Sequence, residues 1–181
     1  MPGYSLDMGA LLLAMKKDLK AAPELSFVHG EARIRTGEWW WSPWGSPTLY
    51  LIPVVSPGEE IGDHQFGSAK RHRHIVNVEC VLPLQNPDDE DGIVGRTNVK
   101  MGLAEFVGRV CERLESNWLG LRGKLDLGFP PTIDMPDESG YGFGEVDVTV
   151  DDTTTMYLRL ARLKYEAWTV PVQRTVKNPL L

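Results

Sequence analysis

The sequence is poor in cysteine: of its 181 residues only Cys80 and Cys111 carry a thiol. Neither stands in a CxxC pair or a zinc-type spacing, and both sit among apolar neighbours. Free buried thiols in a reducing compartment are therefore expected, and a disulfide scaffold or zinc ribbon is excluded. An excess of positive charge is also missing. Nineteen Lys and Arg face twenty-five Asp and Glu, for a net charge of −6. A general nucleic-acid binder needs a basic footprint to displace counterions, so that class is excluded, although a protein that lets DNA pass without gripping it is not. No long apolar run is present. The best stretch, "ALLLAM", is too short to span a bilayer, and Lys16 and Lys17 follow it, the reverse of a signal peptide. The chain is expected to stay in the cytoplasm unless it leaves inside a larger particle.

Catalytic signatures are missing as well. There is no GxSxG, no phosphate-cradling glycine loop and no Cys–His pair in a familiar context. "GYGFGE" contains GxGxG, but a hairpin rather than a helix is expected after it, so it is no dinucleotide fingerprint. The expectation is a protein that is not an enzyme and holds no cofactor.

What is present is an ordinary globular composition, 42% hydrophobic and 24% charged, in a length that suits one domain. The chain is read as a single domain over 1–181, with a core over about 5–170 and an extension over 171–181. An amphipathic helix opens it: Met8, Leu11, Leu12, Met15 and Leu19 recur at helical spacing, Ser5 is a candidate N-cap, and Pro23 stops it. "LSFVHGEARIRTG", "TLYLIPVV" and "RHRHIVNVECVLPL" read as strands. A second helix is expected from Thr97 or Asn98 to a C-cap at Gly120, with Val99, Leu103, Phe106, Val107, Val110, Leu114 and Trp118 as its apolar stripe. Gly102 and Gly108 inside it point to close packing, since each costs about 1 kcal/mol against alanine. A hairpin turning at "DDTT" closes the chain, with a bulge expected near Ala161–Arg162, where the apolar phase flips from Met156, Leu158 and Leu160 to Leu163, Tyr165 and Ala167. The expected fold class is α+β: a mostly antiparallel sheet with two long helices packed on one face.

Three stretches carry candidate chemistry. In "AKRHRHIVNVEC" the residues Lys70, Arg71, His72, Arg73 and His74 precede an alternating run. As a strand it sets His72 and His74 on one face, which leaves three readings: a metal pair completed from elsewhere by His64 or His29, a basic contact for an acidic neighbour, or a solvated strand end. The acids of residues 88–91 are consecutive, so they splay outward instead of curling round one calcium. "WWWSPWG" holds Trp39, Trp40, Trp41 and Trp44, four of the six tryptophans. Consecutive residues cannot all face one core, so these indoles either cap the core, meet a partner or stack on sugar. For partner contact the candidates are Trp39, Trp40, Trp41, Trp44, Lys70, Arg71 and Arg73; no catalytic or metal residue is assigned.

The order of elements resembles the tail terminator, or tail completion, proteins of long-tailed bacteriophages. The resemblance is carried by the opening helix "LDMGALLLAMKKDL", the strand "RHIVNVECVLPL", the helix "NVKMGLAEFVGRVCERLESNW" and the closing pair "GEVDVTV" and "MYLRLARLKYEAW", and spans roughly residues 5–170. The Trp-rich loop and "FPPTIDMPDESGYGFGE" stand outside it. It implies a structural virion protein of the tail or neck, assembled in the host cytoplasm. Such a protein forms a homo-oligomeric ring, usually a hexamer, that caps the tail tube, stops its growth and presents a surface to the head-closure or connector protein. Genome DNA passes through the channel without specific binding, and no membrane is involved. An acidic lining suits that duty, because it repels phosphate. The alternatives are another head–tail connector or neck ring protein, or a carbohydrate-binding module that uses the tryptophans as platforms.

Overall fold

A computed structural model describes residues 7–30, 33–37, 46–54, 61–62, 69–84, 91–95, 101–134, 144–151, 154–169 and 172–173. Three helices lie among them: α1 (Met8–Ala21), the single turn α2 (Asp91–Val94) and α3 (Leu103–Leu114). The strands are β1 (Ile34–Thr36), β2 (Thr48–Val54), β3 (Ile61–Gly62), β4 (Ala69–Arg71), β5 (Arg73–Leu84), β6 (Thr132–Asp134), β7 (Gly144–Asp151), β8 (Thr154–Trp168) and β9 (Val172–Gln173). The fold class is α+β, as expected.

The hub is the antiparallel pairing of β5 with β8, unbroken in register from Arg73↔Trp168 to Leu84↔Tyr157. Around it the main sheet runs β1-β2-β5-β8-β6, with β7 also on β8. Only β1, parallel to β2, departs from an antiparallel sheet. The small sheet β3-β4-β9 prolongs the β5–β8 ribbon. Period-2 alternation decides the faces. Val76, Val78, Cys80, Leu82 and Leu84 of β5 and Ala161, Leu163, Tyr165 and Ala167 of β8 join Leu11, Met15 and Leu19 of α1 and Phe106, Val107 and Val110 of α3 in one core.

Several expectations are corrected. Asp7 caps α1, its carboxylate accepting from Ala10 N–H at 2.6 Å; Ser5 lies outside the described residues. "LSFVHGEARIRTG" is mostly not a strand. Pro23 starts a 3-10 segment, Pro23–Val28, that buries Leu25 and Val28 at its i, i+3 spacing, and only Ile34–Thr36 pairs. The second helix runs only from Leu103 to Leu114; Thr97, Asn98 and Val99 lie outside the described residues. Gly102 is its extended N-cap (φ −86, ψ 162), and Glu115 is extended (φ −62, ψ 127), so Gly120 lies in a later turn. There Ser116 takes a positive φ of 52 and gives its N–H to Pro131 O.

The bulge at Ala161–Arg162 does not exist; the one irregularity of the β7–β8 pair lies between Thr149 and Asp151. The apolar phase flips because both faces of the sheet are apolar there. Leu158 and Leu160 join Tyr50, Ile52 and Val81 in a second cluster on the face away from the main core.

α1, the 3-10 segment and α3 are clamped by polar contacts. Arg113 forks onto Asp18 with two bonds of 2.7 Å, and Asn117 adds a third to the same carboxylate at 3.0 Å. Arg109 donates to Glu24 O at 2.8 Å, while Phe27 meets Phe106 edge to face at 5.0 Å. The close packing expected of Gly108 is absent: the residue is exposed, and a Cβ there would meet nothing within 4 Å. Gly108→Ala is accordingly expected to stabilise the chain by about 1 kcal/mol, from helix propensity alone. Thermal unfolding checks it, and an unchanged or lower midpoint contradicts it.

Candidate functional site

The stretch that opens β5 is a strand with a break. At His72 the ladder is interrupted: its N–H donates to Thr169 Oγ1 at 3.0 Å, and its carbonyl accepts from Thr169 N–H at 2.9 Å. Pairing resumes beyond the break with Lys70↔Val172 and Ala69↔Gln173. A threonine hydroxyl that both accepts from and donates to one opposing backbone residue pins the two strands where the ladder breaks.

Arg73, the first residue of β5, spends its charge within the molecule. Its guanidinium meets the Glu166 carboxylate at 2.5 Å and lies 5.7 Å from the centre of the Trp168 ring. Lys164 reaches Glu166 at 3.3 Å, and Trp168 Nε1–H donates to Glu166 Oε1 at 3.2 Å. Partial burial alone would raise the Glu166 pKa, but the hydrogen bonds and charges of Arg73 and Lys164 outweigh it and hold the carboxyl below its ordinary value of 4.5. Lys70 and Arg71 lie on β4, with Arg71 in register with Ile61. Trp39, Trp40, Trp41 and Trp44 lie outside the described residues.

Beside this junction stands a turn that the sequence reading missed. Leu125 bridges Thr169, and Asp126 N–H donates to Trp168 O at 2.8 Å. The Asp126 carboxylate accepts from Gly128 N–H at 3.0 Å, and its carbonyl accepts from Phe129 N–H at 3.1 Å. Four residues are thus held rigidly, with Leu127 65% and Phe129 44% exposed. Phe129 packs against Trp168 at 6.2 Å. The signal was in "LDLGFPP": an Asp two residues before a Gly makes an Asx turn, and the apolar residues around it have no helical or strand period.

A second omission is Glu79, the one acid inside the apolar run "VNVECVL". It is fully buried; Oε1 accepts from Arg162 Nε at 2.6 Å and Oε2 has no partner.

His72 and His74 are half-buried. Among the described residues no three His, Cys, Asp or Glu side chains gather as a metal-binding group. His64 lies outside the described residues, while His29 ends the 3-10 segment with Nε2 buried and unpartnered. The His74 Nε2 is likewise buried without a partner. Burial first, and the charge of His72 second, push its pKa below 6.5 against an opposing effect of Asp7. The fold therefore favours neutral His74. Its contribution to stability is complete above pH 6.5 and is lost as pH falls from there through the lower folded-state pKa. His74→Gln is expected to flatten the stability profile between about pH 7 and 5, above the range where carboxylates titrate. Urea midpoints across that window check it; parallel profiles for the two proteins contradict it.

No protein-family model matches the chain, and no curated protein is similar enough to it to count as a relative.

Proposed function

We propose that the chain is a structural component of a long-tailed bacteriophage particle, a tail terminator that forms a ring and whose task is assembly, not enzymatic chemistry. The observation that carries this reading is the order of elements. An amphipathic helix comes first, then strands that lead to the long β5, then the helix α3, then a hairpin whose second strand, β8, returns along the whole of β5. In this reading α1 and α3 are the paired helices on one face of the sheet, and their buried side chains share one core with the alternating residues of β5. The net charge of −6 suits a channel through which DNA slides without adhering. The ring is a homo-oligomer, most simply a hexamer, seated on the tail tube protein and facing the head-closure protein. Trp39, Trp40, Trp41 and Trp44, with Lys70, Arg71 and Arg73, are the contacts we assign to neighbours; of these Arg73 also holds Glu166 and Trp168.

Quantitative mass spectrometry of purified particles tests the reading. About six copies per particle support a single closed ring. Hundreds of copies make the chain a tube or sheath subunit, and absence from particles removes the virion reading. A neck or connector ring would share the copy number but would stay with the head when heads and tails are separated. A carbohydrate-binding module would bind a glycan array, on which a ring component gives no signal.

A further inference from the structure

The two long helices carry opposite charges on their outer surfaces. On α1, Leu13 is 69% exposed, and Lys16, Lys17 and Lys20 follow it at i+3, i+4 and i+7, so the four share one side of the helix. None of the three lysines has an ion-pair partner among the described residues. α3 repeats the spacing with the opposite sign, Gly108 being followed by Cys111, Glu112 and Glu115. Gly108, Glu112 and Glu115 are exposed, and a Cβ on Gly108 would meet nothing within 4 Å, which leaves a hollow between the side chains. Glu112 has no partner among the described residues, and Glu115 accepts only from the Ile133 N–H, at 3.0 Å, a bond that does not cancel its charge. The half-buried Cys111 thiol registers the local field: burial first, then the charges of Glu115 and Asp134, push its pKa up.

The two surfaces cannot meet within one copy. Asp18 and Arg113 join α1 to α3 across the space between them. Lys16 and Lys20, each two residues from Asp18, stand about 160° round the helix from it and so face away from α3. Cys111, two residues before Arg113, is turned away from α1 in the same manner, and Glu115 is bonded to β6 on that side. The sheet fixes the same sidedness: α1 packs on β1 and β2 at one end of the strand order, and α3 on β5, β8 and β6 at the other. The layer of helices is therefore basic on one flank and acidic on the opposite one, in a chain whose net charge is −6.

We infer that the α1 flank of one copy docks on the α3 flank of a second copy, with Leu13 over the hollow at Gly108 and Lys16, Lys17 and Lys20 against Glu112 and Glu115. The occupant is this same chain because it presents the complementary charge at the matching spacing, on the flank that its own α1 cannot reach. Two different patches on opposite flanks make a head-to-tail contact, which generates a closed ring or an open stack and not a two-fold dimer. The inference rests on the ring reading and names the surfaces that build the ring.

The test is sedimentation velocity on the full chain, at low and high salt, with two variants. Lys17→Glu/Lys20→Glu makes the α1 flank acidic, and Glu112→Lys/Glu115→Lys makes the α3 flank basic. A circular dichroism melt verifies that each variant folds, and Glu112→Lys alone replaces the second pair if loss of the bond to Ile133 lowers its melt. The wild type is expected to self-associate, more weakly in high salt, and each variant alone to do so at least about tenfold more weakly, because like charges then face each other. An equimolar mixture of the two variants is expected to recover the wild-type association, since every contact between unlike copies again joins opposite charges. A mixture no stronger than its components, or a variant that associates as the wild type does, overturns the inference and leaves the ring reading intact. A wild type that stays monomeric at about 100 μM also overturns it, whereas the ring reading falls only on the copy number in particles.

Discussion

Arg162→Ala is expected to destabilise the chain by about 3 kcal/mol, a large effect for a side chain that is half exposed. The loss comes from what is left behind. Glu79 has no exposed surface, lies level with Tyr50 on β2, and receives its described hydrogen bonds from Arg162 alone. Around it Tyr50, Val81 and Leu158 form the apolar cluster of that face. Without the guanidinium a carboxylate stays buried with no counter-charge, which typically costs 3–5 kcal/mol; solvent around the exposed part of Arg162 places the value at the lower end. The double change Glu79→Leu/Arg162→Leu removes charge and partner together and is expected to recover most of the stability. Urea unfolding of the single and double variants decides. A double variant as unstable as Arg162→Ala would show that packing by the arginine stem, and not the buried charge, accounts for the loss.

Phe106→Ala is expected to cost about 3–5 kcal/mol, the usual penalty for emptying a buried aromatic site. Phe106 is fully buried where α3 meets the sheet, and its edge-to-face partner Phe27 belongs to the 3-10 segment. The cavity therefore loosens two elements at once, and Arg109, which lies 5.9 Å from the Phe27 ring centre, loses part of its support. In a chain of this length the melting midpoint should fall by about 10 °C. Leu13→Ala, on an exposed site of α1, serves as the control and should stay within about 0.5 kcal/mol of the wild type. A small loss at Phe106 would mean that α3 collapses onto the sheet after truncation.

The parts of this fold that the sequence made legible are those where one period dominates. α1 and the core of α3 repeat at helical spacing; β2 and β5 are read from apolar content, and β8 from its alternation. The errors fall where two demands overlap. β8 was given a bulge because its apolar residues change phase, and a sequence read for one buried face has no way to express a strand buried on both. The 3-10 segment was taken for a strand because Leu25, Phe27 and Val28 are apolar, β-tolerant and too few to display a period. The ends of α3 were overrun because Trp118 continues the stripe by coincidence after Ser116 has already turned the chain into the left-handed region. At the candidate site, the charge of "KRHR" was plain, but the pairing of Arg73 with Glu166 joins residues 93 apart, and no local pattern encodes it.

That separation has a consequence for how the chain is made. β8 is an interior strand of the sheet, with β5 on one side and β6 and β7 on the other, yet it is made some seventy residues after β5. Until residues 154–168 emerge, the edge of β5 that faces away from β2 stays unpaired along its length, next to a half-built core. Closing the sheet then requires contacts between residues more than seventy apart, which slows folding and prolongs the interval in which that open edge meets other nascent chains. A chain cut short before residue 154 lacks the strand that covers this edge, and it is destined for aggregates and not for a smaller folded domain.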